Sequence, residues 1–100
     1  MDKYKVKLTP RAYRDLEEIY YYIALEKSSP EKAKNQTERI KKALKKLDIM
    51  PQSHQDRQSG QYASQGYKQL LIDNYITIFR IDEEQKLILV VTIQYQGRKL

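Results

Sequence analysis

The stretch YKQLLIDNYITIFRIDEEQKLILVVTIQY (residues 67–95) decides the fold of this 100-residue chain. It contains three strand-like runs, at 67–73, 75–81 and 87–95. The first run ends at the pair Asp73-Asn74, and the polar segment DEEQK separates the second from the third. Runs of this length, bounded by turn-forming residues, are typical of β-strands joined by tight connections. The stretch therefore predicts a three-stranded antiparallel meander.

The segment KYKVKL (residues 3–8) opens the chain with strict alternation between lysines and apolar residues. This period of two is typical of a half-buried strand, with Tyr4, Val6 and Leu8 on the inner face. A row of lysines on the outer face suits a strand at the edge of a sheet. We therefore predict a fourth strand here.

Two helices are predicted between this strand and the meander. In each, a hydroxyl residue precedes a proline, Thr9-Pro10 and Ser29-Pro30, as expected for an N-cap followed by the first helical residue. Apolar residues then recur at steps of three and four, and Pro51 ends the second helix. The first stripe contains Ala12, Leu16, Ile19, Tyr20 and Ile23, and the second contains Ala33, Gln36 or Thr37, Ile40, Leu44 and Leu47.

The order of elements defines the fold class. The connection between the helices is short, so they should form an antiparallel hairpin. The order β-α-α-β-β-β then predicts an α+β fold, with the helical hairpin packed on one face of a mostly antiparallel sheet. A chain of 100 residues is the size of one domain, so residues 1–100 should form a single domain.

The last strand does not fit a simple two-layer domain, because LILVVTI is apolar at every position but one. Such a strand normally has both faces covered, whereas two helices cover one face only. The polar segment 51–66, predicted to be a long loop, could cover the other face, and so could a second copy of the chain or a partner. We expect Thr92, Gln94 and Gln96 to share the face of Ile88 and Val90.

Composition excludes several classes of function. The chain has no cysteine and a single histidine, His54, which argues against disulfides, a zinc site and a Ser-His-Asp triad. We expect no metal or other cofactor. No apolar run is long enough to span a bilayer, so we expect a soluble cytoplasmic protein without a membrane partner. The net charge of +6 favours a polyanionic or acidic partner.

Two basic clusters are candidates for binding such a partner. One lies on the second predicted helix and includes Lys41 and Lys45, although a solvated charged face explains it equally well. The other follows the sheet and its exit, where Lys68, Arg80, Arg98 and Lys99 occur near Tyr95. Arginine and lysine suit phosphate groups, and tyrosine suits base stacking. The run Tyr20-Tyr21-Tyr22 either broadens the core or marks a binding surface.

These features together resemble the RelE/ParE superfamily, the toxins of type II toxin–antitoxin modules. YKVKLTPRAYRDLEEIYYYI is similar to the opening strand and tyrosine-containing helix of that family. GYKQLLIDNYITIFRIDEEQKLILVVTIQYQGRKL is similar to its closing meander and basic end. The resemblance covers nearly the whole chain. It implies a toxin that is neutralised by a cognate antitoxin within a hetero-oligomeric complex.

The resemblance implies two possible activities, mRNA cleavage at the ribosome for RelE-like members and inhibition of DNA gyrase for ParE-like members. For a RelE-like enzyme, the catalytic residues would be Arg98, Tyr95, Arg80 and Lys68. However, Ile76 stands where mRNA-cutting members carry an arginine, and Tyr95 stands where some carry a histidine. An unperturbed tyrosine, with a pKa of about 10, is a weak general base at neutral pH.

We therefore favour a ParE-like toxin, with Lys99, Lys41 and Lys45 as target-binding residues. The RelE-like endoribonuclease that acts with the ribosome and mRNA remains the alternative. A non-toxic nucleic-acid-binding module is a third possibility.

Overall fold

The structure is a computed structural model that describes residues 3–58, 60–63 and 65–96. Its strands are β1 (Lys5–Leu8), β2 (Gln55–Asp56), β3 (Tyr67–Ile72), β4 (Tyr75–Asp82) and β5 (Leu87–Tyr95). Its helices are α1 (Pro10–Tyr21) and α2 (Pro30–Lys45), and α1 continues into a π-helical turn at Tyr22–Glu26. Short 3₁₀ turns at Lys46–Asp48 and Pro51–Ser53 follow α2. Arg98 and Lys99 lie outside the described residues.

The five strands form one sheet in the order β1-β5-β4-β3-β2. β1 pairs with β5 in parallel, and the other neighbours are antiparallel. The predicted α+β class, with two helices on one face of the sheet, is confirmed. The segment 51–66 is less irregular than predicted, because Gln55 and Asp56 pair with Gln69 and Lys68 as a short fifth strand.

Both helices begin where their capping residues predict. The Thr9 hydroxyl accepts a hydrogen bond from the Ala12 N–H at 3.1 Å, and the Ser29 hydroxyl accepts one from the Lys32 N–H at 3.3 Å. Each cap satisfies a backbone donor that the first helical turn leaves free. The second helix ends earlier than predicted, at Lys45, and the chain reaches Pro51 through the 3₁₀ turn instead.

The hydrophobic core lies between the two helices and one face of the sheet. The buried residues of α1 and α2 match the predicted stripes, and Thr37 rather than Gln36 is the buried member of α2. The sheet contributes Phe79, Ile88 and Val90, all fully buried. Each fully buried side chain of this kind contributes about 1.5–3 kcal/mol relative to an exposed one. The core therefore holds the helical hairpin in place against the sheet.

A β-bulge in β5 corrects one prediction about the faces of the last strand. Phe79 pairs with Val90, but the next residue of β4, Ile78, pairs with Thr92, so Val91 is the extra residue. Side chains alternate between the two faces along a strand, so one extra residue reverses the facing of every position that follows it. As a result, Ile93 and Tyr95, rather than Thr92, Gln94 and Gln96, share the face of Ile88 and Val90. The prediction that this face becomes more polar toward the C-terminal end of β5 was wrong.

The other face of the sheet is covered in part by the chain itself. Ile78 is fully buried there and Ile76 nearly so, although neither belongs to the core under the helices. Arg57, which follows β2 and is also buried, donates a hydrogen bond from Nη1 to Gln69 Oε1, and Gln69 is the cross-strand neighbour of Ile78. The segment after β2 therefore shields the middle of this face, as one of the sequence-based alternatives proposed. Leu71 remains exposed on it.

A polar cluster joins the start of the chain to the β4–β5 hairpin. The Tyr4 hydroxyl donates to Glu83 Oε1 at 2.8 Å, and the Gln52 amide donates both to that carboxylate and to the Tyr4 hydroxyl at 2.6 Å. The Lys86 ammonium lies 3.7 Å from the same carboxylate. The hydrogen bond from Tyr4, supported by Gln52 and Lys86 and opposed by partial desolvation, lowers the pKa of Glu83 below its ordinary value of 4.5.

This lowered pKa predicts an acid-sensitive contribution to stability. A carboxyl whose pKa is lower in the folded state stabilises the fold fully above its unfolded pKa, and the contribution disappears as the pH falls through the folded pKa. We expect the stability difference between the wild-type chain and Glu83→Gln to shrink as the pH falls below about 4.5. Urea unfolding of both proteins across that range measures it, and a constant difference would contradict the assignment.

Candidate functional site

An open groove of about 910 Å³ runs between the first helix and the ends of two strands. α1 and the turn after it form one wall, and the start of β4 and the end of β5 form the other. The lining includes two kinds of chemically useful side chain, cations and tyrosines. They are Arg11, Arg14, Lys27, Tyr22, Tyr75 and Tyr95.

The groove exists because β1 is shorter than β5. β1 pairs with β5 only as far as Val90, opposite Leu8. In the part of the chain that the structure describes, no strand pairs with that side of β5 beyond this point. Asp15 of α1 takes the place of a strand: its carboxylate accepts hydrogen bonds from the Ile93 N–H at 3.0 Å and from the Thr92 hydroxyl at 2.6 Å. The helix is thereby fixed alongside the strand edge.

The groove carries more positive than negative side chains. Three cations line it against the two carboxylates of Asp15 and Glu18, and Asp15 already accepts the two hydrogen bonds described above. The side-chain amide oxygen of Gln94, Oε1, is buried, and it has no hydrogen-bond partner among the described residues. These groups can hold a segment that supplies carboxylates and a hydrogen-bond donor.

Tyr75 and Tyr95 lie side by side in the strand wall of the groove, with ring centroids 5.7 Å apart. Tyr75 is 8% exposed and Tyr95 is 47% exposed. Burial raises the pKa of Tyr75 above its ordinary value, and ionised Tyr95, Tyr22 or Asp73 nearby would raise it further. Tyr75 is therefore protonated at neutral pH and cannot serve as a general base there.

The three consecutive tyrosines at the end of α1 and the start of the π-helical turn have different environments. Tyr20 is half-buried, whereas Tyr21 and Tyr22 are more than half exposed. The Lys27 ammonium lies 5.9 Å from the centre of the Tyr22 ring at the groove. Tyr20 is thus the most buried of the three rings, and the other two lie on the surface, as the second of the two sequence-based interpretations proposes.

The structure does not bring Lys68, Arg80 and Tyr95 together. Lys68 lies opposite Phe79 and Tyr95 lies opposite Tyr75, which puts them roughly 13 Å apart along β4 at about 3.3 Å per residue. Arg80 follows Phe79 and so points to the opposite face of the sheet. The Lys68 ammonium is held by Asp56 at 2.7 Å and by the His54 carbonyl oxygen at 3.0 Å. No two of these three residues are placed to share one reacting group.

The remaining predicted site residues are spread over other surfaces. Lys41 and Lys45 are exposed on α2 and do not line the groove. Arg98 and Lys99 follow shortly after Tyr95 in sequence but lie outside the described residues.

Arg11, Arg14 and Asp15 were not selected from the sequence as site residues. They belong to the polar side of an amphipathic helix, where charged residues ordinarily contact solvent. The relevant signal was a difference in length, since the predicted first strand (residues 3–8) is shorter than the predicted last strand (residues 87–95). A parallel neighbour that ends early leaves an open edge, and the helix that follows it must run beside that edge.

Comparison with solved structures identifies the class of protein. A toxin–antitoxin structure described as the chromosomal ParDE system of P. aeruginosa matches with a TM-score of 0.75 and 26% identity, covering 95% of this chain and 98% of the other. The RelBE2 complex of Mycobacterium tuberculosis matches with a TM-score of 0.67 and 19% identity, covering 98% and 97%. The intact E. coli RelBE complex matches with a TM-score of 0.62 and 13% identity, covering 95% and 99%.

The fold and these similarities define a toxin of the RelE/ParE superfamily, a class whose partner is a cognate antitoxin. The profile of the ParE toxins of type II toxin–antitoxin systems, parDE, matches residues 6–100. The chain belongs to the ParE toxin family. No curated protein sequence matches it significantly. Among the described residues, none of the helices has the length and apolar character that a membrane span requires.

Proposed function

We propose that this toxin acts in the cytoplasm by inhibiting DNA gyrase without cutting RNA, and that its cognate antitoxin holds it inactive in a hetero-oligomeric complex. One observation carries the proposal. The described candidates for RNA cleavage, Lys68, Arg80 and Tyr95, are spread over two faces and two ends of the sheet. General acid–base chemistry requires its groups within hydrogen-bond reach of one substrate.

The environment of each candidate supports the same proposal. Lys68 already binds Asp56, and only 19% of its side chain is exposed. Its ammonium already donates hydrogen bonds to Asp56 and to the His54 carbonyl oxygen, so fewer of its N–H groups are free for a substrate. Tyr95 contacts Tyr75 in the groove, and Arg80 does not line that groove. Inhibition by binding needs none of these residues to exchange a proton.

The groove is the surface we propose for the antitoxin. Its open strand edge and its surplus of cations suit an extended segment that carries carboxylates, since such a segment would neutralise the arginines. We propose that Lys41, Lys45 and Lys99 bind the target, as predicted from the sequence. Arg98 would join them if gyrase is the target and would be catalytic only if RNA is.

The test uses induction of the chain alone in growing bacteria, together with assays on purified gyrase. We expect filamentous cells, a DNA-damage response and intact messages. With purified gyrase, the chain should inhibit supercoiling and increase cleaved DNA. Co-expression of the antitoxin should abolish these effects.

Arg98→Ala separates the two activities. If the chain is a nuclease, messages should be cut inside codons in the wild type and left intact in this variant, with gyrase unaffected by either protein. That result would overturn the proposal. Asp56→Ala, which releases Lys68 from its ion pair, serves as a matched variant. It should leave gyrase inhibition unchanged, whereas the rate of RNA cleavage by a nuclease that uses Lys68 should change.

A further inference from the structure

The sheet face away from the helices carries a straight row of cationic and aromatic side chains. Lys7 lies opposite Leu89, Leu89 opposite Arg80, and Arg80 opposite Tyr67. Directly opposed residues point to the same face of a sheet. These four side chains therefore cross β1, β5, β4 and β3 side by side, on the face opposite Phe79 and Val90. We call them the cross-strand row.

The row is accessible at its charged positions and apolar between them. Lys7 and Arg80 are exposed, whereas Leu89 and Tyr67 are half-buried. Neighbouring strands lie about 4.8 Å apart, so the Lys7 and Arg80 backbones are separated by roughly 10 Å, and Tyr67 lies one strand beyond Arg80. Tyr62 packs against Tyr67, with ring centroids 5.0 Å apart at 69°. The second ring fixes the first and extends the aromatic surface.

The charge around the row is predominantly positive. A second row runs beside the first on the same face: Lys5 lies opposite Leu87, and Leu87 lies opposite Asp82. Asp82 is the acidic residue nearest to Arg80 in this register. Asp82 is half-buried and accepts a hydrogen bond from the Gln85 N–H at 3.1 Å. Glu83, in the adjacent hairpin, is held by Tyr4 and Gln52. Lys5, Lys7 and Arg80 therefore outnumber the one acidic residue on these two rows.

We infer that the cross-strand row binds single-stranded nucleic acid, with Lys7 and Arg80 on phosphates and the Tyr67–Tyr62 pair stacked on a base. On an open sheet, cations can contact the phosphates of a flexible single strand while neighbouring aromatic rings stack on its bases. A rigid duplex would not reach a half-buried ring with its bases. This binding is independent of gyrase inhibition and does not involve the groove.

The experiment measures the fluorescence anisotropy of labelled 12-nucleotide DNA and RNA single strands, and of a DNA duplex, with the purified chain at several salt concentrations. We expect both single strands to bind, more tightly than the duplex. The double variant Lys7→Ala/Arg80→Ala should lose about tenfold or more in affinity, and its salt slope should fall by about 1.4, because each phosphate contact on a single strand contributes about 0.7. Tyr67→Leu should weaken binding at least about fivefold without changing the slope.

The matched control is Lys34→Ala/Lys42→Ala, which removes the same charge from exposed positions of α2. It should retain binding within about twofold, because its charges lie away from the row. An equal loss in the control would show attraction by net charge alone and would overturn the inference. Absence of binding at low salt, or preference for the duplex, would overturn it as well. Circular dichroism of each variant checks that the fold is intact.

Discussion

Replacing Asp15 by alanine lowers the free energy of unfolding by about 2–3 kcal/mol, because a hydrogen bond to a charged group contributes about 1.5–3 kcal/mol and this carboxylate accepts two. Its partners, the Thr92 hydroxyl and the Ile93 N–H, would be left without an acceptor at the edge of β5. Water can reach the groove and replace part of the loss. Urea unfolding monitored by tyrosine fluorescence measures the change.

Two buried threonines provide the control for this prediction. Both Thr92 and Thr77 are fully buried, but the Thr92 hydroxyl donates to Asp15, whereas the Thr77 hydroxyl has no hydrogen-bond partner among the described residues. Thr92→Val should destabilise by about 1–2 kcal/mol, and Thr77→Val should be neutral or stabilising. Equal costs for the two would show that the methyl-for-hydroxyl exchange, and not the contact with Asp15, sets the penalty.

The same contact explains which parts of the fold could be predicted from the sequence. Helix caps, apolar stripes and hairpin turns are local, because the residues that decide them are neighbours in the chain. Thr9 and Ser29 therefore predicted the helix starts correctly. The Asp15–Thr92 contact joins residues 77 positions apart, and neither residue has a sequence context that indicates its partner.

The β-bulge could not have been predicted for a different physical reason. A bulge is visible in a sequence when it interrupts an alternating pattern. The run LILVVTI has apolar residues on both parities, so inserting Val91 leaves no interruption to detect. The inward positions are even-numbered before Val91 and odd-numbered after it, so apolar residues occur at both parities. This change explains part of the continuous apolar pattern that suggested a strand covered on both faces. Ile88 and Val90 point inward before the bulge, and Ile93 does so after it.

The candidate site was predicted less completely than the fold. Tyr95 was selected from the sequence and does line the groove, but Lys68 and Arg80 are placed elsewhere. The sequence places basic residues near one another along the strands, but it does not reveal the face of each one until the register is known. Once Phe79 is seen to pair with Val90, Arg80 must point away from the helices. This register separates the predicted catalytic residues and also aligns Arg80 with Lys7.

Phe79→Ala should have the largest effect on stability, about 3–5 kcal/mol, which is the usual cost of removing a buried phenylalanine. Phe79 of β4 is fully buried in the core between the sheet and the helices. It contacts the His54 ring at a centroid distance of 5.8 Å and lies opposite Val90, beside the bulge. The cavity would open where the strands change register, so the surroundings cannot collapse easily. A domain of this size is stable by only about 5–15 kcal/mol, and much of that margin would be lost.

This variant tests whether toxicity depends on the fold or on single exposed residues. Phe79→Ala should reduce toxicity by lowering the amount of folded protein, and lowering the growth temperature should restore it in part. Its matched control is the adjacent exposed residue: Arg80→Ala should change the free energy of unfolding by less than about 0.5 kcal/mol. Urea unfolding of the two variants and immunoblots of the cells measure both effects. Equal destabilisation by the two substitutions would contradict the opposite facing of Phe79 and Arg80, and with it the register on which the site geometry depends.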